Sequence, residues 1–302
     1  MHAAIGGPHP NLVNERKPRV VVLGAAGMLG RALVRVLSRQ GYDVTAVMRP
    51  RPGRSSQTGI ARNVFLADFI NARAIDALIR SQRPRCILNA AGLKVAFDPA
   101  DPAALLRVNS LLPRIVAEAS AAQGVRVLHF STNAAAHYLS RVDSGATDSS
   151  VQDLYALSKL LGEIEAEHVV NIRCSMIGLD SSNEDSLLEW FLRSRGPATG
   201  YSRAMFNGLP VDEIATICGE LLLPRIDRCS GILNVGGPTI SKADLLRLVA
   251  HVWQRPDLDV VDRPEPHLDQ TLDCTRLKTE FGYKEKGWPE MIATTRKYYE
   301  NE

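Results

Sequence analysis

The sequence lacks the features that mark several large classes of protein. It contains only 5 cysteines in 302 residues, and none stands at the paired spacing of a disulfide framework or a zinc site. We therefore expect reduced, mostly buried thiols, a cytoplasmic location and no metal. No run approaches the roughly 20 apolar residues of a membrane helix, so no membrane partner is expected. Residues 1–17 lack the apolar core of a signal peptide and are predicted to be a flexible tail.

Neither sign of charge is in excess. The chain has 36 Lys and Arg against 33 Asp and Glu, a formal net charge of +3. No basic stripe with interleaved aromatic residues is visible, so the charge pattern predicts no nucleic-acid partner. The hydrophobic share of 45% is ordinary for a globular protein. The length allows one main domain with a smaller lobe.

Short apolar runs alternate with helical patterns over the first part of the chain. "RVVVLG" (19–24) is typical of a buried parallel strand, and "MLGRALVRVLSRQG" (28–41) carries apolar residues at helical spacing. The alternation predicts an α/β fold, a Rossmann-type doubly wound parallel sheet, over residues 18–178. A polar loop is expected after the strand at 125–132.

The alternation loosens after about residue 178. We predict that residues 179–302 form mainly a smaller C-terminal substrate-binding lobe, with 207–237 returning to the Rossmann sheet. The apolar patterns in this part indicate helices near 187–192, 241–253 and 288–301, and strands at 231–237 and 258–261.

Three glycines, Gly24, Gly27 and Gly30, lie between the first strand and the first helix. Glycine allows a sharp turn and a close approach of the backbone to a pyrophosphate. The amides and the dipole of the helix start then bind the anion. The strand–turn–helix context favours a dinucleotide site over a glycine-rich turn without a ligand.

The end of the second strand indicates which dinucleotide is bound. NAD-binding units usually carry an acidic residue about 20 residues past the glycines. Here the segment reads "VMRPRPGR", with Arg49, Arg51 and Arg54 and no acid. Arginine pairs well with a 2′-phosphate, so we expect NADP(H), with NAD(H) as the alternative cofactor. A solvated basic loop is the other interpretation.

The segment "DLYALSKLLGE" (153–163) places Tyr155 and Lys159 one helical turn apart. A neighbouring ammonium lowers the pKa of a phenol, which would let Tyr155 exchange a proton with a substrate carbonyl. Ser131 and Thr132 end the preceding strand, at the edge where open parallel sheets bind ligands. The convergence favours an active site over a surface helix.

These motifs together resemble the extended short-chain dehydrogenases/reductases. The resemblance is carried by the three glycines, Asp68 after the third strand, "NAAG" (89–92), Ser131-Thr132 and Tyr155-x-x-x-Lys159. "LYALSKLLGE" and "GYSRAMFNGLP" are further similar to the dTDP-4-dehydrorhamnose reductase-like branch, which comprises nucleotide-sugar 4-ketoreductases. The resemblance runs from about residue 18 to 293 and implies a nucleotide-sugar substrate.

The resemblance implies roles for particular positions. Asn109 would support the active-site backbone or a proton path, and Arg203 would bind the substrate diphosphate unless it is an ordinary surface residue. The implied catalytic residues are Ser131, Thr132, Tyr155 and Lys159. The implied cofactor-binding residues are Gly24, Gly27, Met28, Leu29, Gly30, Arg49, Asp68, Phe69, Ala90, Ala91, Gly92, Asn109, Tyr155 and Lys159. The implied substrate-binding residues are Lys94, Asn133, Met176, Trp190, Arg203 and Asn207.

The sequence departs from the family pattern at "STNAAAHYLSR" (131–141). Asn133 stands where family members commonly have an acid, and bulkier residues are replaced by Ala134–Ala136. This change indicates a different sugar or weakened chemistry. We interpret His137 as a loop histidine, because no partner for acid–base work is visible beside it.

Three functions remain open at this point. The first is NADPH-dependent reduction of the 4-keto group of a nucleotide-linked 4-keto-6-deoxyhexose, in deoxysugar biosynthesis. The second is an epimerase or dehydratase that retains its cofactor, and the alanine run supplies none of the extra acid–base groups that such enzymes use. The third is a non-catalytic, NADP-binding regulatory subunit. The helical face at 101–122 could build a homodimer in each case.

Overall fold

The computed structural model describes residues 17–49, 61–66, 68–94, 102–144, 151–180 and 186–300. Arg51, Arg54 and almost all of the predicted tail lie outside these ranges, and Lys17 already belongs to the first strand. The strands are β1 Lys17–Leu23, β2 Tyr42–Met48, β3 Arg62–Phe65, β4 Cys86–Asn89, β5 Arg126–Phe130, β6 Val169–Cys174, β7 Met176–Ile177, β8 Ala198–Tyr201, β9 Ala204–Phe206, β10 Leu209–Pro210, β11 Gly231–Val235, β12 Ile240–Ser241, β13 Val260–Arg263 and β14 Leu268–Gln270.

Helices cover the strands and build much of the C-terminal part. The α-helices are α1 Met28–Arg39, α2 Ala72–Gln82, α3 Pro102–Leu106, α4 Leu112–Ala121, α5 Asn133–Asp143, α6 Val151–Leu160, α7 Leu187–Arg193, α8 Val211–Ile217, α9 Lys242–Val252, α10 Thr275–Phe281 and α11 Trp288–Glu300. Two segments, Arg107–Leu111 and Cys218–Leu222, are π-helical, and Leu223–Arg228 is a 3₁₀-helix. None of the described helices is long and apolar enough to cross a membrane.

Seven strands form one sheet in the order β11-β6-β5-β4-β1-β2-β3, and each neighbouring pair is parallel. The predicted Rossmann-type α/β fold is confirmed by this order. Strand β11 comes from the C-terminal part of the chain and pairs with β6 at the sheet edge. The carboxyl ends of β1, β4 and β5 lie side by side in this order, which sets the position of the site.

Strand β1 explains why the central strands are apolar along their whole length. Val20 and Val22 belong to one core cluster, whereas Val21 and Leu23 belong to another. All four side chains are fully buried. Successive residues of a strand point to opposite faces of the sheet, and helices cover both faces here. A continuous apolar run is therefore required.

Three small sheets form the C-terminal lobe. They pair β7 with β10, β8 with β13, and β9 with β12 and β14. Each pairing spans only two to four residues. Helix α9 packs against β8, β9, β12 and β13, and α11 packs against α9 and α8. The lobe is thus joined to the main sheet through helices.

Residues 133–143 form a helix and not the polar loop that the sequence predicted. Thr132 caps the helix, because its side chain accepts a hydrogen bond from the Ala134 amide at 3.3 Å. Alanine has the highest helix propensity, and Ala134–Ala136 lie in the first turn of the helix, after Asn133. His137 therefore lies partly buried on helix α5 and is not a loop histidine.

Candidate active site

Two of the three glycines in the first turn are required by packing. Gly24 has φ +77°, and a Cβ there would lie 2.6 Å from the Ala91 amide nitrogen. A Cβ at Gly30 would lie 2.1 Å from the Gly24 carbonyl oxygen. Only glycine fits positions where backbone meets backbone this closely. The turn is consequently held against the end of β4 and against helix α1.

The middle glycine leaves open space. A Cβ at Gly27 would meet only the Gly24 carbonyl oxygen, at 3.4 Å. Gly27 is also the N-cap of α1, and no side chain caps this helix start. Met28 and Leu29 follow as buried residues. An uncapped helix start beside open space fits a pyrophosphate, so the residues present suit a dinucleotide.

The other predicted cofactor residues lie at the ends of β2, β3 and β4. Arg49 is exposed directly after β2. Asp68 is exposed and accepts a hydrogen bond from the Ile70 amide at 2.8 Å. Phe69 is partly buried against the second core cluster. Ala90, Ala91 and Gly92 follow β4 next to the glycine turn.

Tyr155 is partly buried on α6. Burial raises the pKa of its phenol, and the Thr132 side chain opposes this rise without cancelling it. The direction is opposite to the one predicted from the neighbouring ammonium, because burial is the larger effect. At neutral pH the phenol is therefore protonated and suited to donate a proton.

Lys159 lies one turn further along α6 and is 5% exposed. Its Nζ donates to the Phe130 carbonyl oxygen at 2.6 Å. Burial lowers the pKa of Lys159 to about 8, while Cys174 and Glu163 act in the opposite direction. The ammonium form still predominates at neutral pH.

Asn109 connects the end of β4 to the Tyr–Lys helix. It is fully buried within the π-helical segment. Its Oδ1 accepts from the Leu93 amide at 2.9 Å, and its Nδ2 donates to the Leu93 carbonyl at 3.0 Å and to Ser158 Oγ at 3.0 Å. Ser158 Oγ in turn donates to the Tyr155 carbonyl at 2.7 Å. Asn109 in the π-helix thus holds both the segment after β4, through Leu93, and helix α6, through Ser158.

Ser131 is buried, and its hydroxyl is engaged by a residue that the sequence interpretation overlooked. Ser131 Oγ donates to Glu163 Oε1 at 2.6 Å. Glu163 also accepts two hydrogen bonds from Arg173, at 2.8 and 2.7 Å. The sequence held one signal for Glu163, because it follows Lys159 by four residues, as Lys159 follows Tyr155.

The predicted substrate residues have different surroundings. Asn133 is buried beside Thr132, and its Nδ2 donates to the Gln270 carbonyl at 3.2 Å. Asn207 is buried, and its amide bonds both the N–H and the C=O of Leu272, at 3.0 and 2.9 Å, so it braces the lobe. Arg203 is exposed next to His267. Trp190 and Lys94 are exposed, and Met176 is partly buried.

The sequence is similar to a protein family and to individual known proteins. A family model described as the NAD dependent epimerase/dehydratase family matches residues 20–181. A dTDP-4-dehydrorhamnose reductase of Streptomyces griseus is 34% identical over 119 residues, or 39% of this chain and 34% of the relative. A UDP-glucose 4-epimerase of Mycolicibacterium smegmatis is 29% identical over 173 residues, or 55% of this chain and 54% of the relative. The alignments thus span about a third to a half of these relatives.

Solved structures share the fold over nearly the whole chain. A dTDP-4-dehydrorhamnose reductase from Bacillus anthracis in complex with NADP has a TM-score of 0.71 at 17% identity, covering 93% of this chain and 99% of that one. The Bordetella bronchiseptica enzyme WbmG in complex with NAD has a TM-score of 0.72 at 20% identity, covering 96% of each chain. At such identities the likeness establishes the architecture.

The parallel sheet, the glycine turn and the Tyr–Lys pair define a nicotinamide-nucleotide protein of the short-chain dehydrogenase/reductase type. The chain belongs to the NAD-dependent epimerase/dehydratase family, because the family model matches more than half of its 302 residues. The resemblance to the extended short-chain dehydrogenases/reductases is thereby confirmed.

Proposed function

We propose that the protein reduces the 4-keto group of a nucleotide-linked 4-keto-6-deoxyhexose with NADPH. The observation that carries the proposal is the placement of Tyr155 on α6 one turn from the buried Lys159, whose Nζ donates to the Phe130 carbonyl at the carboxyl edge of the sheet, two residues before Thr132. Reduction needs a proton donor there, and the Tyr155 phenol, which is protonated at neutral pH, supplies one. Similarity to dTDP-4-dehydrorhamnose reductases supports this class of substrate.

The cofactor would lie across the glycine turn. Gly27 and the start of α1 would hold its pyrophosphate, and Ala91 and Gly92 would line the cleft toward the site. When bound, the reduced nicotinamide supplies a hydride to the carbonyl carbon. Arg49 at the end of β2 is the described residue on which a preference for NADPH rests.

The chain itself handles the proton and the developing charge. Tyr155 gives its proton to the carbonyl oxygen, so the ketone becomes a hydroxyl as the carbon gains the hydride. The Thr132 hydroxyl donates to the same oxygen and stabilises the negative charge that grows on it. The ammonium of Lys159 stabilises the phenolate that remains.

An epimerase is the second candidate, and the similarity to a UDP-glucose 4-epimerase favours it. Such an enzyme retains its cofactor and consumes no NADPH. The residues after Thr132 are Asn133 and three alanines, which offer no additional acid or base. This composition supports net reduction. A regulatory, non-catalytic subunit would bind cofactor and turn over nothing.

The test is NADPH oxidation by the purified protein with dTDP-, UDP- and GDP-linked 4-keto-6-deoxy sugars. We expect turnover with one of the three and a loss of about 10²–10⁴ in kcat for Tyr155→Phe. Tyr42→Phe is the matched control. Tyr42 is the first residue of β2 and therefore lies at the amino ends of the strands, away from the candidate site, and its hydroxyl donates to the Gly219 carbonyl. Cofactor binding without turnover on any of these sugars would contradict the proposal.

Cofactor preference is tested separately. Arg49→Ala is expected to weaken binding of NADPH about tenfold and to leave binding of NADH nearly unchanged, since only the former carries a 2′-phosphate. Arg39→Ala, at the exposed end of α1, is a control of equal charge change. Equal effects of Arg49→Ala on both cofactors would contradict the preference.

A further inference from the structure

Two consecutive residues at the end of β5 are each held by one residue of α6 or of the segment that follows it. The Phe130 carbonyl accepts from Lys159 Nζ at 2.6 Å, and Ser131 Oγ donates to Glu163 at 2.6 Å. The next residue, Thr132, affects the pKa of Tyr155. Tyr155, Lys159 and Glu163 thus form a set of three residues, each four positions after the one before.

The third member of this set is itself fixed. Arg173 on β6, the strand beside β5, donates from Nε and Nη2 to the two oxygens of Glu163. The side chains of Arg173 and Glu163 are only 11% and 8% exposed. Bidentate pairs of this kind combine strength with a defined geometry. The carboxylate is therefore rigid where it meets Ser131.

Glu163 also contributes to the electrostatic environment of Lys159, because it opposes the lowering of the Lys159 pKa that burial causes. The titratable groups in this environment are Tyr155, one turn before Lys159 on α6, and His129, Cys174 and Glu163. Burial keeps the first three neutral near neutral pH: it raises the pKa of Tyr155 and of Cys174, and it lowers that of His129. Among the described residues, Glu163 is thus the anion that supports the ammonium.

We propose that Glu163, clamped by Arg173, is a positioning residue that fixes Ser131 and supplies the negative charge beside Lys159. The inference rests on the proposed carbonyl reduction and deepens it. It assigns Ser131 a different task from the one expected from the sequence. Ser131 fixes the end of β5 and thereby the position of Thr132, the next residue. Thr132 and Tyr155 contact the substrate carbonyl.

The first test needs no substrate. The Lys159 side chain is titrated by NMR in protein labelled with ¹⁵N-lysine, and its signal is identified as the one absent from Lys159→Arg. The double variant Glu163→Gln/Arg173→Met removes both charges and leaves no buried ion unpaired. We expect its Lys159 pKa to fall by about one unit. Ser131→Ala should leave the Lys159 pKa unchanged.

A second variant separates charge from position. Glu163→Asp keeps the negative charge but shortens the side chain, so it withdraws from Ser131. We expect a Lys159 pKa near the wild-type value together with a kcat about tenfold lower. This variant also keeps the inference testable if the double variant does not fold, which thermal unfolding would reveal.

Kinetics then distinguish positioning from direct catalysis. We expect Ser131→Ala and Glu163→Asp each to lower kcat about tenfold with an unchanged KM for NADPH, and their combination to cost no more than either alone. The high-pH limb of the kcat profile should move to lower pH only in Glu163→Gln/Arg173→Met. Wild-type kcat in Glu163→Asp, with a loss in Ser131→Ala, would overturn the positioning role.

The two proposals fail in different ways. An unchanged Lys159 pKa in the double variant would overturn the charge role of Glu163 whatever the substrate is. Absence of turnover on every sugar would contradict the reductase and leave the NMR result standing. The lysine titration is therefore the deciding experiment for Glu163.

Discussion

The cofactor half (residues 17–174, with β1–β6) and the C-terminal lobe (the three small sheets with their helices) hold their segments together in different ways. In the cofactor half, neighbouring strands pair in parallel over four to six residues, as β1 does with β2 and β4. In the lobe the pairings span two to four residues. Strands that pair over four to six residues have a recognisable apolar pattern in the sequence, whereas strands that pair over only two to four residues have almost none. The lobe must therefore be fixed by individual side chains.

Buried asparagines show how such fixing works. Asn109, Asn171 and Asn207 each bond both the N–H and the C=O of one distant residue: Leu93, Ile164 and Leu272 respectively. An amide side chain thus imitates a strand neighbour for a segment that has none. Two of these braces flank helix α6 in the cofactor half, and the third lies in the lobe. The same kind of asparagine–backbone hydrogen bonding therefore occurs both beside the candidate active site and in the lobe.

The largest predicted loss of stability is at Gly30 in the cofactor half, where two backbone segments are in close contact. Gly30→Ala would place a methyl group 2.1 Å from the Gly24 carbonyl oxygen. We expect a loss of more than about 4 kcal/mol in the free energy of unfolding, measured by urea denaturation.

Gly27→Ala is the matched control for this prediction. Its Cβ contact of 3.4 Å is nearly ordinary, so folding should be retained while the methyl fills the space expected for the pyrophosphate. We expect NADPH binding to weaken at least tenfold. Equal stability of the two variants would contradict the assignment of packing to Gly30 and of binding to Gly27.

A smaller loss of stability is expected for two asparagine variants, one in each region, and their kinetics should differ. Asn109→Leu leaves a part-buried N–H and C=O of Leu93 without their partner, and Asn207→Leu leaves a buried N–H and C=O of Leu272, at a cost of about 2–4 kcal/mol each. Both variants should show a similar loss in denaturation experiments.

The kinetic results of the two variants should differ. Asn109 also bonds Ser158, which bonds the Tyr155 carbonyl, so only Asn109→Leu is expected to lower kcat, by about tenfold or more. Asn207→Leu should change KM for the sugar nucleotide at most. A similar loss of kcat in both variants would mean that the lobe positions the reacting groups as directly as the sheet does.

The smallest effect is expected at the junction of the two regions. Asp212 on α8 is buried and accepts a hydrogen bond from Thr295 on α11 at 3.0 Å. Burial raises its pKa from 3.8 to about 6. A folded-state pKa above the unfolded value gives stability that is fully present below pH 3.8 and is lost as the pH rises through about 6.

Asp212→Asn should remove that dependence. The stability gained by the variant over wild type should be near zero below pH 3.8 and should grow to roughly 2–3 kcal/mol above pH 6. Thermal unfolding across this range measures the difference. A gain that does not vary with pH would show that Asp212 is not the titrating group.

The parts of the molecule predicted from sequence are those set by local pattern. The apolar run of β1, the glycine triplet and the spacing of Tyr155 and Lys159 each depend on neighbours in the chain. Helix α5 was missed because a polar segment contained its alanines and its cap, Thr132. Strand β13 overlaps the strand predicted at 258–261, but the other lobe strands were missed because two to four residues carry no periodicity.

The site shows the same division. The hydrogen bonds that Glu163 makes with Ser131 and Arg173 join three separate segments of the chain. The spacing of residues in the sequence therefore does not predict them. The raised pKa of Tyr155 depends on burial, which a helix pattern does not reveal. Pairs of residues one turn apart were visible in the sequence, whereas the environment that determines their protonation was not.

The central claim is net reduction of a sugar carbonyl, and isotope transfer tests it most directly. The protein is incubated with a nucleotide-linked 4-keto-6-deoxy sugar and NADPH deuterated at the transferred position of the nicotinamide, and the product is analysed by mass spectrometry and NMR. We predict one deuterium at C4 of the product sugar, and almost none with Tyr155→Phe. A sugar product without deuterium would contradict reduction by external NADPH and would indicate an epimerase that recycles its own cofactor.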